Sequence, residues 1–175
     1  GLATGSLAAV HGVFGPATLI VLPAGGTSTA ALVNLSVRSY LPSSTATLTA
    51  GFVIQSASGK RILVRAVGPT LTSFGVTGAM ADPRLEIYDT TAAKIAENDS
   101  WDASLATTFA QVGAFALPAG SRDAALTVTL PAGAGTAEVR GTSAGVVLVE
   151  AYDTASLATS RLVNLSARSN VGTAD

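Results

Sequence analysis

Apolar and polar residues alternate in short segments along most of this chain, with turn-forming residues between the segments. Such alternation buries one face and is typical of β-strands, while Gly- and Pro-containing stretches favour tight turns. In chain order the predicted strands are TLTAGFVIQS, KRILVRAVGP, RLEIYD, KIAENDSW, DAALTVTLPAG, GTAEVRG and GVVLVEAYD. Because each strand buries one face, we predict two sheets packed together, an all-β protein with a single jelly-roll or immunoglobulin-like sandwich.

One segment departs from the alternation. In ASLATTFAQVGAF, residues 103–115, the apolar side chains Leu105, Phe109 and Val112 recur at helical spacing. We predict a short helix near residues 103–112 or an irregular crossover between strands.

The phrase LVNLSVRS at Leu32–Ser39 returns as LVNLSARS at Leu162–Ser169, 130 positions later. The same offset aligns residues 15–41 with residues 145–171 without a gap. Outside the phrase the similarity lies in an apolar strand, a small polar linker and a second strand. A unit cut from a tandem array, with parts of its neighbours attached, would show this arrangement.

The repeat suggests three parts for the chain. Residues 1–31 are an N-terminal arm with a strand available for donation, residues 32–160 form the sandwich, and residues 161–175 carry a C-terminal strand that repeats residues 32–39.

The chain resembles a tandem repeat of large secreted bacterial surface proteins. Units of that repeat begin with a phrase like LVNLSARS and continue through GFVI, ILVRAVGPTLTSFGV, ADPRLEIYD, IAENDSW, AALTVTLPAG and GVVLVEAYD, all present here in that order. The resemblance implies a β-sandwich of the kind also used by pre-peptidase C-terminal domains, and an extracellular or cell-surface location. It implies little about activity. The chain departs from the usual tandem arrangement, because a single unit is flanked by partial copies instead of complete neighbours.

Composition narrows the function further. The chain has 175 residues, enough for one domain with a core, and its first residue, Gly1, fits a processed exported protein or a trimmed one. Ten Lys and Arg against 11 Asp and Glu provide no basic face, so nucleic acid is not expected as a partner. Cys is absent, which excludes disulfides and thiolate metal sites. No apolar run is long enough for membrane insertion as a helix.

The N-terminal arm is apolar and carries no formally charged side chain before Arg38. Two interpretations lead: Thr18–Leu22 is an extra strand of its own domain, or the arm pairs with a sheet edge of another subunit. A third is that the arm marks a boundary placed within a tandem array. Donation in the same sense each time is head-to-tail and builds a fibre. The predicted assembly residues of the arm are Phe14, Thr18, Ile20 and Leu22.

The C-terminal copy of the phrase is the second candidate donor. Its alternation places Val163, Leu165 and Ala167 on the face directed at the core, and these complete the predicted assembly residues.

Several polar residues are candidates for other roles. Asp99 and Asp102 offer oxygen ligands for calcium, but their spacing does not match the twelve-residue calcium loop, and a solvated turn is the favoured interpretation. Trp101 is either a platform for stacking a sugar or a plug for the end of the sandwich. Arg65 and Glu150, each within an apolar strand, predict cross-strand ion pairing, with Glu86 or Glu138 as further partners. Glu86 and Glu138 are the last of the charged candidate residues.

Sequence signals for catalysis are missing. His11 is the single His, and no G-x-S-x-G, P-loop or metal-spaced His pair is present, so we predict no enzyme and no cofactor. The leading hypothesis is a structural subunit of an extracellular bacterial filament, whose main partner is itself and which assembles by donor-strand exchange. The alternative is a carbohydrate-binding or spacer module of a larger secreted protein, with glycans as partners.

Overall fold

The computed structural model describes residues 8–12, 15–19, 32–154 and 160–169, and antiparallel strands account for most of them. Strands β1 (Ala8–Gly12) and β2 (Gly15–Leu19) form a hairpin. The other strands are β3 Asn34–Leu41, β4 Leu48–Ser56, β5 Lys60–Val67, β6 Pro83–Tyr88, β7 Lys94–Asn98, β8 Ala124–Leu130, β9 Gly133–Gly141, β10 Gly145–Asp153 and β11 Ser160–Arg168.

These strands form two larger sheets. One has four strands in the order β3-β10-β5-β8, and the other has five in the order β11-β4-β9-β6-β7. Every pairing within them is antiparallel. The predicted all-β sandwich is therefore confirmed, and each of the seven predicted segments contains a strand.

The core lies between the two sheets. In β4, for example, residues from Leu48 to Ile54 alternate between buried and half-buried positions, as the sequence pattern predicts. Burying one large apolar side chain contributes about 1.5–3 kcal/mol, so this layer supplies much of the stability. Its largest buried side chains include Leu41, Leu48, Phe52, Ile62, Leu85 and Ile87.

A second apolar layer covers the outer face of the four-stranded sheet. The predicted helix is part of it: a 3₁₀ turn at Ala103–Leu105 leads into α1, Ala106–Val112. Phe109 of α1 is buried in this layer, and Leu105 and Val112 pack against it. Sheet residues Leu63 and Tyr152, which point away from the main core, receive the cover.

Trp101 belongs to this cover and is only 9% exposed. Its ring centroid lies 5.3 Å from that of Phe109, and its indole Nε1 donates to the carbonyl of Pro118 and to Ser121 Oγ. The ring is buried in the cover over the outer face of the four-stranded sheet, rather than at an end of the sandwich, and it presents no face on which a sugar could stack.

In the described part of the chain, no helix is long and apolar enough to cross a bilayer.

Candidate assembly site

The two copies of the repeated phrase form the last strands of the two opposite sheets. β3 pairs with β10 and β11 pairs with β4, and no other described strand adjoins either of them within a sheet. Leu32 and Leu162 form a bridge at one end of the two copies. At the other end, the hydroxyl groups of Ser39 and Ser169 form a hydrogen bond. We call residues 32–41 and 160–169 together the seam.

Equivalent residues of the two copies have similar environments. Leu35 and Leu165 both pack, partly buried, against the main core. Val33 and Val163 are both exposed, at 55% and 46% of their surface. The seam is thus approximately symmetric in side-chain direction as well as in sequence.

This symmetry shows how the strand edges left unpaired by the described strands correspond between the two copies. Residue 32 lies beside residue 162 and residue 39 beside residue 169, so the two copies run in the same overall direction, although the bridge between Leu32 and Leu162 is itself antiparallel. They lie in opposite sheets with Leu35 and Leu165 both directed at the core, so a half-turn about an axis along the strands relates them approximately. After that half-turn, β10 and β4 lie on opposite edges of the phrase. The unpaired edge of β11 therefore corresponds to the edge of β3 that β10 occupies.

A bulge changes the predicted side-chain directions in β11. The register shifts between Leu162 and Asn164 opposite β4, so Val163 is an extra residue that points outward. Leu162 is buried, Leu165 is half-buried and Ala167 is exposed. The prediction that Val163, Leu165 and Ala167 share the core face was wrong for Val163, and Ala167 gains no burial.

The start of β11 is held by a buried ion pair that the sequence analysis missed. Lys60 Nζ lies 2.7 Å from Asp153 Oδ1, and both side chains are 2% exposed. The same ammonium donates to the carbonyl of Ser160 at 2.8 Å, where β11 begins. The adjacent charges Lys60 and Arg61 at the start of β5, and Asp153 at the end of β10, were the available signals. This contact shows that the C-terminal copy is integrated into its own sandwich, which argues against it as a free donor strand.

The predicted assembly residues of the arm are only partly described. β2 begins at Gly15 rather than at the predicted Thr18, and it pairs with β1. Phe14, Ile20 and Leu22 lie outside the described residues.

A groove runs along the outer side of β3, where the cover layer ends. Its two parts have volumes of about 620 and 430 Å³, and Arg38, Phe74 and Val76 line both. Phe74 is 60% exposed, and its ring meets that of Phe115 edge-on with centroids 4.9 Å apart. Tyr40, 44% exposed, lines the larger part.

Arg65 and Glu150 form the predicted cross-strand pair. They lie directly opposite each other in β5 and β10, with Nη2 2.8 Å from Oε2. The guanidinium carbon is 4.8 Å from the Phe109 ring centroid and 4.2 Å from that of Phe115, whose carbonyl accepts from Nη1 at 2.6 Å. Tyr152 donates its hydroxyl proton to Glu150 at 2.7 Å. Burial, and then the Glu150 carboxylate, raise the pKa of Tyr152 well above its ordinary value.

The other two carboxylates considered as partners of these charges lie elsewhere. Arg140 contacts Glu86 at 3.1 Å and Glu138 at 3.0 Å, in a partly exposed network on the five-stranded sheet. The pair of Arg65 and Glu150 is therefore complete without them. Its burial beneath the cover fits a structural role, and Phe115, which the guanidinium contacts, also lines the groove beside β3.

The two calcium candidates, Asp99 and Asp102, lie in different surroundings. Asp102 accepts from the backbone N–H of Ser104 at 2.8 Å as an N-terminal cap. The Ser104 hydroxyl first, and then this N–H, lower the pKa of Asp102. Asp99 lines a small surface pocket that also contains Arg84. Among the described residues, no three His, Cys, Asp or Glu side chains come close enough together to hold a metal ion.

The carboxylate that does organise a loop is Asp123, which the sequence analysis overlooked. It is fully buried and accepts from the N–H of Gly68 at 2.8 Å, the N–H of Thr70 at 3.3 Å and the hydroxyl of Ser121 at 2.7 Å. The Thr70 hydroxyl also donates to it. Asp123 thereby joins the loop after β5 to the cover, and its position just before β8 carried no sequence signal.

No protein-family model matches this chain, and no curated protein matches it. The resemblance to repeats of bacterial surface proteins therefore stays a prediction from the motifs.

Proposed function

We propose that this protein is a structural subunit of an extracellular bacterial filament or surface assembly. Its copies join head-to-tail when a strand of one subunit is added to a sheet edge of the next. The observation that carries the proposal is the seam, where two copies of one phrase end opposite sheets and, among the described strands, leave opposite edges unpaired. Such a chain contains a sheet edge that can accept a strand, and also a segment whose sequence suits that edge.

The chemistry of the seam supports strand addition. An unpaired strand edge presents a row of N–H and C=O groups that another strand can satisfy. Each hydrogen bond formed there contributes about 0.5–1.5 kcal/mol net. Beside these edges, Val33 and Val163 are exposed and Leu165 is half-buried, so an added strand also removes apolar surface from water.

The arm supplies the strand in this proposal. It has no formally charged side chain before Arg38, and apolar residues dominate residues 7–22. Such a segment gains from burial, whereas a solvated tail normally carries charge. A contact between different surfaces of identical subunits does not close on itself, and it propagates as a fibre.

An extracellular location rests on the resemblance of residues 32–169 to units of secreted bacterial surface proteins. The absence of Cys is compatible with it, because the fold relies on its core rather than on disulfides.

Two preparations test the proposal by negative-stain microscopy and analytical ultracentrifugation. The full chain is expected to form uniform fibres, and deletion of residues 1–23 is expected to abolish them while the thermal unfolding transition remains. A full chain that stays monomeric at high concentration refutes the proposal. A deletion that unfolds the sandwich shows instead that the arm is a strand of its own domain.

A matched pair of surface variants locates the contact. Val163→Asp places a charge at the seam, and Ile95→Asp places one on β7 at the far edge of the same sheet; the two side chains are 46% and 42% exposed. We expect the first to suppress fibres and the second to leave them intact. Equal behaviour of the two variants would remove the seam from the assembly.

A second candidate function is carbohydrate binding in the groove beside β3. The exposed rings of Tyr40 and Phe74 lie there with the guanidinium of Arg38, a combination of apolar faces and a hydrogen-bond donor suited to sugars. Affinity electrophoresis against soluble polysaccharides tests it, with Phe74→Ala as the variant and Ile95→Ala as the control. Retardation that F74A abolishes and I95A preserves would favour this candidate.

A further inference from the structure

We infer that the outer edge of β11, unpaired among the described strands, receives β2 (residues 15–19) of a second copy, antiparallel to β11 and in the register that β10 keeps on β3. The inference rests on the proposed function and adds to it the acceptor edge, the occupant and the alignment.

The register follows from the repeat. In the sandwich, β10 pairs with β3 so that Val147 is opposite Ser39, Leu148 opposite Arg38 and Val149 opposite Val37. The offset of 130 maps β10 onto the arm and β3 onto the C-terminal copy. Applied to both strands, it pairs Ala17 with Ser169, Thr18 with Arg168 and Leu19 with Ala167.

The geometry of the seam provides the edge that this register requires. Because a half-turn along the strands relates the two copies, the unpaired side of β11 is the side on which β10 lies in β3. A strand similar to β10 would therefore meet N–H and C=O groups in the arrangement that β10 already satisfies on β3.

A proline in the arm is compatible with this arrangement. Pro16 corresponds to Val146, and Pro has no N–H to donate. In β10 the N–H of Val146 donates to the carbonyl of Gly78 at 2.8 Å, on the side away from β3. The added strand therefore loses no bond to β11 by having Pro at this position.

A second copy is the occupant we assign to this edge. Within one chain β2 pairs with β1, and Gly12 faces Gly15 across a two-residue turn, so Gly15, Ala17 and Leu19 direct at β1 the same backbone groups that this register directs at β11. The donor strand must therefore exchange β1 for β11, whose outer edge is unpaired among the described strands. The donor of a second molecule would satisfy that edge and link the two sandwiches.

Engineered cysteines test the register, because the native chain has none. Thr18→Cys and Arg168→Cys are made in separate chains, mixed as monomers, allowed to assemble and oxidised. Directly opposite residues bring their Cβ atoms within disulfide range, so we expect a disulfide-linked dimer on non-reducing gels. The matched control mixes Thr18→Cys with Ala167→Cys, which is one residue out of register with its side chain on the other face of the sheet, and little dimer is expected.

Microscopy of the same mixtures separates the possible failures. Fibres with no T18C–R168C dimer would overturn the inferred register while the proposed function stands. Monomers alone would overturn the proposed function and the inference with it. A chain carrying both substitutions is made as well: an intrachain disulfide that forms in preference to the intermolecular one overturns the assignment of a second copy. Dimer from the T18C and R168C mixture in fibres, with none from the control, supports the inference.

Discussion

Leu32 and Leu162 hold the same place in two copies of one phrase, and in the folded chain they face each other across the seam in a bridge. Their surroundings nevertheless differ. Leu162 is 2% exposed and belongs to the main core, whereas Leu32 is only partly buried against it. The bridge thus joins the edges of two sheets through one residue inside the core and one at its margin.

This difference predicts unequal costs for the same substitution. Leu162→Ala removes a fully buried side chain and should lower the free energy of unfolding by about 2–5 kcal/mol. Leu32→Ala should cost less, because its side chain already contacts solvent. Urea denaturation of both variants measures the difference in the free energy of unfolding. Equal losses would contradict the difference in burial between the two leucines.

Breaking the buried ion pair of Arg65 and Glu150 beneath the cover should strongly lower the free energy of unfolding. Arg65→Met leaves the Glu150 carboxylate buried without its cation, and we expect a loss of about 3–5 kcal/mol. The matched control is Arg122→Ala at the exposed pair with Asp82, where Arg122 is 70% exposed and about 0–1 kcal/mol is expected. Chemical denaturation compares the two.

A double variant distinguishes the charge from the packing. Combining Arg65→Met with Glu150→Leu removes both charges, and much of the lost stability should return because neither ion is then left unpaired. A double variant no more stable than Arg65→Met alone would show that the stacking of the guanidinium on Phe109 and Phe115 dominates instead.

Asp123 should control the loop after β5. Asp123→Ala leaves the N–H groups of Gly68 and Thr70 without their acceptor, and each buried donor so orphaned costs about 1–3 kcal/mol. Asp123→Asn keeps one acceptor oxygen and should cost less. Hydrogen exchange at residues 68 and 70 checks the mechanism, since protection there should fall before protection in β4 does.

Tyr152 makes the stability sensitive to alkali. Its pKa in the folded state is raised above the ordinary value of about 10, first by burial and then by Glu150. A raised pKa contributes stability that is fully present below about pH 10 and is lost as the pH rises through the folded-state pKa. Thermal unfolding between about pH 9 and 12 should show this loss, and Tyr152→Phe should make it smaller.

Tyr88 accounts for the dependence of stability on alkaline pH that remains in the Tyr152→Phe protein. Burial, followed by its hydrogen bond to Glu86, also raises the pKa of Tyr88. A Tyr152→Phe protein with an unchanged alkaline slope would contradict the assignment to Tyr152.

Local sequence determined the elements of this protein because their signals lie within a few residues. Period-two alternation predicted the strands, helical spacing of Leu105, Phe109 and Val112 predicted the short helix, and lone charges in apolar strands predicted the pair of Arg65 and Glu150. The repeat of one phrase was equally visible in the sequence.

Tertiary structure decided where those elements lie. Identical phrases became the edges of opposite sheets, because strand order depends on pairing partners far apart in the chain, such as β11 with β4. The bulge at Val163 exposes a residue that alternation places inside. Asp123 and the pair of Lys60 with Asp153 matter because folding brings distant donors to them and removes water, which no local pattern reports.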